Sequence, residues 1–120
     1  MPALGFIAIL RFLIHIVSLL WRKEAVRGLL LVALITIFSG TWFFYRFEPT
    51  ITTWIDAYYF TVITLTTIGY GDMSPTIPLT KLFTTFYVFV GLGIIAGLIG
   101  LMGEAVIEDA NQRAQERGKK

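Results

Sequence analysis

A glycine-alternating loop decides the fold of this chain, and it reads Thr66-Thr67-Ile68-Gly69-Tyr70-Gly71-Asp72. Glycine takes backbone conformations with positive φ that other residues avoid, so left- and right-handed backbone can follow one another along the loop. Such a backbone can aim successive carbonyl groups in one direction, whereas an ordinary strand bonds its carbonyls to a neighbouring strand. The loop is therefore predicted to present a row of main-chain oxygens.

A short predicted helix leads into this loop. Thr53 and Asp56 lie three residues apart and resemble a capping box, and the pattern from Trp54 to Thr66 supplies about three and a half turns. A helix of this length cannot cross a hydrocarbon core of about 30 Å. Between two membrane spans it is typical of a re-entrant element, which is tolerated at membrane depth only where protein or water surrounds it.

Two charge-free runs flank the helix and loop. One extends over the 18 residues from Gly28 to Tyr45, and the other over the 22 residues between Lys81 and Glu104. As helices they measure about 27 Å and about 33 Å, long enough to cross a bilayer. Hydrophobic residues make up 56% of the 120 residues. The predicted fold class is an all-α membrane protein with two transmembrane helices and a re-entrant helix and loop between them.

The basic residues predict the orientation in the membrane. Most of them lie on the terminal sides of the two spans: Arg11, Arg22, Lys23, Arg27, Arg113, Arg117, Lys119 and Lys120. The connecting stretch has Arg46 and Lys81 only at its edges. The positive-inside bias therefore predicts a multi-pass protein of the cell membrane with both termini in the cytoplasm.

The N-terminal residues 1–24 are predicted to form an interfacial helix. On a helix, Arg11, His15, Ser18 and Arg22 fall on one stripe, and apolar residues cover the rest of the circumference. This pattern favours a helix lying along the inner leaflet over a third span. A secretory signal peptide is an alternative. Residues 25–103 then form the membrane domain, and residues 104–120 a helical cytoplasmic tail.

The composition excludes several function classes. The chain has no cysteine and a single histidine, which leaves little material for a metal site. It also lacks a nucleophile with an acid/base partner and a nucleotide-binding loop, so no enzymatic activity and no organic cofactor are expected. The formal net charge is only +2, and no nucleic acid is expected among the partners.

The loop instead favours cation binding. One chain contributes one loop, and four loops about a common axis would form stacked oxygen cages that replace the hydration shell of a cation. The Thr67 hydroxyl can add a further ring of oxygens. The short helix would direct its partially negative C-terminal end toward the same axis, which also favours a cation.

The segment Thr-Thr-Ile-Gly-Tyr-Gly-Asp resembles the selectivity filter of potassium channels, usually written Thr-Val-Gly-Tyr-Gly. The resemblance extends from about Val26 to Gly103, the two-transmembrane pore domain of bacterial and archaeal channels. It implies a homotetrameric, potassium-selective channel in which K⁺ is the permeant ion and membrane lipids are the surroundings. Gly91-Leu92-Gly93 is similar to the non-selective NaK-type channels, but those channels carry Asp where Tyr70 stands here.

The resemblance also implies a role for each residue of the loop. Thr67, Ile68, Gly69 and Tyr70 would donate K⁺-coordinating carbonyls, and Gly71 completes the filter. The Thr67 hydroxyl would complete the innermost site. Ile68 replaces the usual valine while offering the same carbonyl.

Residues around the filter are implied to support it. The Tyr70 ring would lie away from the pore axis, against Tyr59 and Phe60, where many relatives have tryptophans. Some relatives place a carboxylate behind the filter at the position of Ile63, so Asp72 would lose that possible partner here. Asp72 itself is expected at the pore mouth, where its charge would attract cations.

The second span carries the expected gate. Gly91 matches the hinge glycine of the family's pore-lining helix, and Leu92, Ile95, Ala96 and Ile99 would line the cavity on one helical face. Glycine at this position equally fits close helix packing. The aromatic residues of this span, Phe83, Phe86, Tyr87 and Phe89, are assigned to inter-subunit packing and lipid contact.

The sequence leaves two other functions as alternatives. One is a non-selective cation channel, and Tyr70 argues against it. A non-conducting membrane subunit is the other, and the complete filter motif argues against that.

Overall fold

The computed structural model describes residues 2–120, which form four helices and no strand: α1 (Pro2–Arg22), α2 (Glu24–Phe47), α3 (Trp54–Leu65) and α4 (Pro78–Gly118). The predicted short helix is present and ends one residue earlier than expected, because Thr66 is its C-cap. The second predicted span belongs to one uninterrupted helix of 41 residues. The all-α part of the prediction is thereby confirmed.

The helix ends follow from local chemistry. Residue 49 is proline, which disfavours helical backbone at the preceding residue, and α2 ends at Phe47. At the start of α3, the Thr53 side chain accepts a 3.0 Å hydrogen bond from the Asp56 N–H, as the capping motif predicts. Helix α4 begins at Pro78, whose missing N–H costs nothing in the first turn.

Three of the helices, α1, α2 and α4, are long and apolar enough to cross a membrane. Helices α2 and α4 contain the two predicted spans. Helix α1 meets the same criteria, so its length and composition do not distinguish an interfacial helix from a third span.

The chain divides into two compact units, and residues 29–97 form one of them. Its core is aromatic and joins α2, α3 and α4: the Phe44 ring meets the Phe60 ring edge-on at 4.7 Å, and Phe43 stacks on Phe83 at 3.7 Å. Tyr87 is buried in this cluster. The assignment of Tyr87 to inter-subunit or lipid contact is therefore wrong, since it is buried within the chain. Phe83 packs against the same cluster and is half-buried, whereas Phe86 and Phe89 are exposed.

The other unit combines the residues up to Gly28 with those from Leu98 onward. Lys23 separates α1 from α2, and its Nζ lies 3.0 Å from Oε2 of Glu108 on α4. A second ion pair joins Arg113 to Asp109, one turn earlier on α4, at 3.1 Å. The two ion pairs and a groove between α1 and α4 characterise this unit.

Candidate functional site

The loop after α3 is tied to the last turns of that helix by main-chain hydrogen bonds. The Thr67 N–H donates to the Thr64 carbonyl at 3.2 Å, and the Gly69 N–H donates to the Ile63 carbonyl at 3.0 Å. Ile63 thus contacts the loop through its backbone, while its side chain is buried in the core. The start of the loop therefore takes its position from α3.

Positive φ angles recur at every second residue of the loop. Thr67 has φ 64°, Gly69 has φ 51° and Gly71 has φ 80°. Left-handed backbone is uncommon for a non-glycine residue, and strain of this kind is typical of functional sites. The alternation on which the filter interpretation depends is present, and Thr67 takes part in it although glycine content alone does not predict this.

Tyr70 lies beside Tyr59 of α3. The two rings are nearly parallel, with an interplanar angle of 4° and centroids 6.4 Å apart. The Tyr59 hydroxyl donates a 2.9 Å hydrogen bond to Oδ2 of Asp72. Phe60, the other predicted neighbour of Tyr70, packs against Phe44 in the core instead. Asp72 therefore has a partner that the sequence analysis did not identify.

The loop and one face of α3 are open in the single chain. Tyr70 is 69% exposed, Ile68 is 53% exposed and Ile55 on α3 is 78% exposed. Such exposed apolar side chains require cover by lipid or by another protein surface. Within a single chain, the core covers one side of the loop and of α3, and the other side is open.

A buried carboxylate that the sequence analysis missed anchors the segment beyond the loop. Glu48 is 2% exposed, and its oxygens accept hydrogen bonds from the hydroxyls of Thr50 at 2.8 Å and Thr80 at 2.6 Å. The Thr76 N–H donates to the same carboxylate at 3.0 Å, and the Thr76 hydroxyl also donates to it. Glu48 thereby joins the end of α2 to the start of α4.

The charge state of Glu48 follows from these contacts. Burial by itself raises the pKa of the carboxyl, but the hydrogen bonds from Thr76, Thr80 and Thr50 outweigh it and lower the pKa to about 2. Glu48 therefore stays ionised at neutral pH. A single sequence carries no signal that pairs Glu48 with Thr76 and Thr80, which lie 28 and 32 positions further along the chain.

Gly91 lies where α4 passes the end of α3. A Cβ atom at Gly91 would lie 2.7 Å from Cδ2 of Leu65 and 2.9 Å from the Leu65 carbonyl oxygen. Gly93, two residues on, meets nothing within 4 Å. Close packing is therefore an observed reason for glycine at position 91, whereas the hinge stays a prediction.

The predicted gate residues occupy a different face of α4 from Gly91. The face that packs inward consists of Tyr87, Gly91 and Ile94, with helical spacings of four and three. Leu92, Ala96 and Ile99 are exposed and Ile95 is half-buried. None of these four side chains belongs to the inward-packing face.

Side-chain metal ligands do not cluster anywhere in residues 2–120: no group of three or more His, Cys, Asp or Glu could hold a metal ion there.

Comparison with known proteins identifies the family. A family model described as "Ion channel" matches residues 30–108, about two thirds of the chain, including α3 and the loop. The chain is similar to "Two-pore potassium channel 2" of Arabidopsis thaliana, with 44% identity over 54 residues, or 45% of this chain and 12% of the relative. It is also similar to "Probable potassium channel protein 2" of Methanocaldococcus jannaschii, with 46% identity over 52 residues, or 43% of this chain and 15% of the relative.

A longer match is to "Two pore potassium channel b" of Oryza sativa, with 37% identity over 86 residues, or 68% of this chain and 24% of the relative. The chain thus spans less than a quarter of the length of these three relatives. The family and these relatives are channels and not enzymes, which confirms the expectation of no enzymatic activity. With its apolar helices and its match over residues 30–108, this membrane protein belongs to the ion channel family.

Proposed function

We propose that the chain is one subunit of a potassium-selective channel that conducts K⁺ passively through a pore formed by four copies. One observation carries this proposal: positive φ alternates at Thr67, Gly69 and Gly71 in a loop that starts at the C-terminal end of α3. The names of the relatives, potassium channels of plants and an archaeon, support the choice of ion.

The loop coordinates K⁺ through main-chain oxygens. The carbonyls of Thr67, Ile68, Gly69 and Tyr70 replace the hydration shell of the ion, the Thr67 hydroxyl completes the innermost site, and Gly71 gives the backbone its final left-handed turn. The C-terminal end of α3 adds a partial negative charge equivalent to about half an electron. No other cofactor takes part.

Four chains are needed to surround the ion. The exposed face of α3, with Ile55 and Tyr58, and the exposed Ile68 and Tyr70 of the loop are the surfaces that neighbouring subunits cover. Closed rotational symmetry lets each loop meet two identical neighbours and leaves none of these faces in water. The Tyr59–Tyr70 ring pair and the Tyr59–Asp72 hydrogen bond then hold each loop at the width that K⁺ requires.

In the membrane arrangement that we propose, α2 and α4 cross the bilayer of the cell membrane and α3 enters it as a re-entrant pore helix. Residues 25–103 form the pore domain, residues 1–24 the interfacial helix and residues 104–120 the cytoplasmic tail, with both termini inside. The α1 side chains from Phe12 to Leu20 face α4 residues that include the charged Asp109 and Arg113. This neighbourhood supports a place for α1 at the membrane surface, because a third span would bring those charges into hydrocarbon.

Opening and closing would involve α4. Leu92, Ile95, Ala96 and Ile99 line the inner cavity, and bending at Gly91 widens it. The contact between Gly91 and Leu65 links this position directly to the pore helix.

Reversal potentials of the purified protein in a planar bilayer with K⁺ on one side and Na⁺ on the other test the proposal. We expect a potential that follows the K⁺ gradient and a current blocked by Ba²⁺. Tyr70→Asp should lower the preference for K⁺ over Na⁺, and Tyr70→Phe, which keeps the ring, should retain it. Equal permeability in the unmodified protein would support the non-selective channel, and absence of any current would support the non-conducting subunit.

A further inference from the structure

A hydrogen bond joins the middle of α2 to α4 inside the unit that residues 29–97 form. The hydroxyl of Tyr87, a residue that is 6% exposed, donates to the carbonyl oxygen of Thr36, 51 positions earlier in the chain. Thr36 lies near the centre of the charge-free run from Gly28 to Tyr45, which the proposed arrangement places in hydrocarbon. Because no water is available at that depth to replace the acceptor, the hydroxyl depends on this carbonyl.

Gly40 on α2 gives the Tyr87 side chain its space. A Cβ atom at residue 40 would overlap with the Tyr87 hydroxyl and with the ring carbon that carries it, and it would lie 3.1 Å from Cγ2 of the buried Thr61 on α3. We call the space bounded by Thr36, Gly40 and Thr61 the notch. Any side chain at residue 40 would expel Tyr87 from the notch, so close approach is the reason for glycine at this position.

A second close contact lies one helical turn further along α4. There Gly91 packs against Leu65, the last residue of α3. Tyr87 and Gly91 are four residues apart, so they share one face of α4 with a rise of about 6 Å between them. Two contacts at different heights fix both the rotation and the height of a helix, since a slip by one residue would turn this face by about 100° and move it by about 1.5 Å.

The two contacts differ in kind. The packing of Gly91 on Leu65 is apolar on the side-chain side, and apolar attraction has no preferred direction. The bond from Tyr87 to Thr36 is directional, because a hydrogen bond weakens steeply when its angle or length departs from the optimum. Of the two contacts, the hydrogen bond therefore defines the height of α4 more closely.

We propose that Tyr87 is a positioning residue of the pore: its hydroxyl, held on the Thr36 carbonyl in the notch, sets the height of α4 along α2 and thereby keeps Gly91 against the residue that precedes the filter loop. The consequence for conduction rests on the proposed channel function, whereas the register of α4 does not. The alternative is that Tyr87 only fills volume in the aromatic core, where its ring stacks on Phe83 with centroids 5.1 Å apart. Phenylalanine would then serve equally well.

The substitution Tyr87→Phe separates these two roles. It keeps the ring and with it the aromatic contacts to Phe44 and Phe83. It also leaves the Thr36 carbonyl with a partner, because the Ser39 hydroxyl donates to the same oxygen at 3.0 Å. We therefore expect this variant to fold and to lose only the link between α2 and α4.

Pulsed electron paramagnetic resonance of the full chain in lipid nanodiscs measures the register without any current. The chain has no cysteine, so spin labels attach only at two introduced positions, Leu31→Cys on α2 and Leu82→Cys on α4. Both replace exposed side chains, and they lie on opposite sides of the notch along the helices. An excess of unlabelled chains limits each assembly to one labelled chain. We expect a single narrow distance distribution, which Tyr87→Phe should broaden and shift in part by at least about 1.5 Å, the rise of one residue.

Two further variants sharpen this test. Ser39→Ala is the matched control, because it removes the other donor to the Thr36 carbonyl without removing a link between helices, and it should leave the distribution unchanged. Gly40→Ala, which fills the notch, should abolish the distance of the unmodified chain. An unchanged distribution in Tyr87→Phe would overturn the proposal and assign the tyrosine to core packing. Retention of the native elution volume in size-exclusion chromatography excludes misfolding as the cause in each variant.

Single-channel recording tests the consequence for the pore. Tyr87→Phe should change the mean open time several-fold and keep the reversal potential of the unmodified protein, because the filter carbonyls are not altered. Unchanged open times together with a shifted distance would overturn the role of Tyr87 in the pore. Absence of current from the unmodified chain would contradict the proposed function and not the register, which the distances decide.

Discussion

The Tyr59 hydroxyl donates a 2.9 Å hydrogen bond to Oδ2 of Asp72, so α3 is joined to the residue that directly follows the filter motif. Tyr59 also stacks on Tyr70, and one side chain therefore holds the loop at two points. Since Phe60 packs into the core and Ile63 offers no side-chain hydrogen bond, this tyrosine is the polar support that α3 gives to the end of the loop. The loop is thus braced by a bond between residues 13 positions apart.

Loss of this hydrogen bond is expected to shorten the conducting lifetime of the filter. Tyr59→Phe keeps the ring stacking and removes the donor, while Asp72→Asn removes the charge of the acceptor. Each change should make K⁺ current through the reconstituted protein decline several-fold faster at constant voltage, and the double variant should resemble the single ones. Tyr45→Phe is the control, because the Tyr45 ring stacks on Trp54 and not on the loop. Additive effects of the two changes would show that the residues act independently.

The Glu48 carboxylate is expected to make folding stability depend on acidity. Its pKa in the folded chain, about 2, lies below the ordinary value of 4.5. The stabilising contribution is therefore fully present above about pH 4.5 and is lost as the pH falls toward 2. Glu48→Gln should remove this pH-dependent component and lower the free energy of unfolding at neutral pH by about 1 to 3 kcal/mol.

Thermal unfolding in detergent, followed by circular dichroism between pH 2 and pH 7, measures both effects. Glu104→Gln, at an exposed position on α4, is the matched control and should leave the profile unchanged. An unaltered acid profile in Glu48→Gln would contradict the assignment.

Substitution at Gly91 should lower the folding stability through a steric clash, whether or not it also affects gating. The Cβ of Gly91→Ala would meet the Leu65 side chain at 2.7 Å and its carbonyl oxygen at 2.9 Å, so we expect destabilisation by about 1 to 3 kcal/mol. Gly93→Ala enters open space in the same helix and should be neutral or stabilising by up to about 1 kcal/mol.

Gly91→Ala, alone and combined with Leu65→Ala, tests the hinge against packing in single-channel recordings. A hinge at Gly91 predicts less frequent opening in Gly91→Ala even when Leu65→Ala removes the contact with the side chain. The contact with the Leu65 carbonyl oxygen at 2.9 Å stays, so only restored opening separates the two roles. Recovery of normal opening in the variant that combines Gly91→Ala with Leu65→Ala would assign Gly91 to packing alone.

The left-handed backbone at Gly69 provides a test free of steric contact within the chain. A Cβ at this position meets no atom of the same chain within 4 Å, so the effect of Gly69→Ala on the subunit itself comes from φ 51°. An L-residue pays about 1 to 2 kcal/mol in this conformation. We expect lower K⁺ flux into liposomes with little change in overall helix content, whereas flux at the level of the unmodified protein would argue against a required left-handed backbone at residue 69.

Sequence alone was sufficient for the features that depend on local interactions. The short helix from Trp54, its Thr53 cap, the glycine alternation and the long α4 follow from neighbouring residues, because caps, turns and helical periodicity act over at most a few positions. Charge-free runs likewise predicted the two apolar helices, since a span depends only on length and composition.

The tertiary structure decided which distant residues meet. It paired Tyr59 with Asp72 and Glu48 with Thr76 and Thr80, and it placed Gly91 against the backbone of Leu65. It also placed Tyr87, expected in subunit or lipid contact, in the core, and it stacked Phe83 on Phe43. These contacts depend on how three helices pack. The presence of a hydroxyl or an aromatic ring in the sequence does not indicate which residue, 13 to 32 positions away, it will contact.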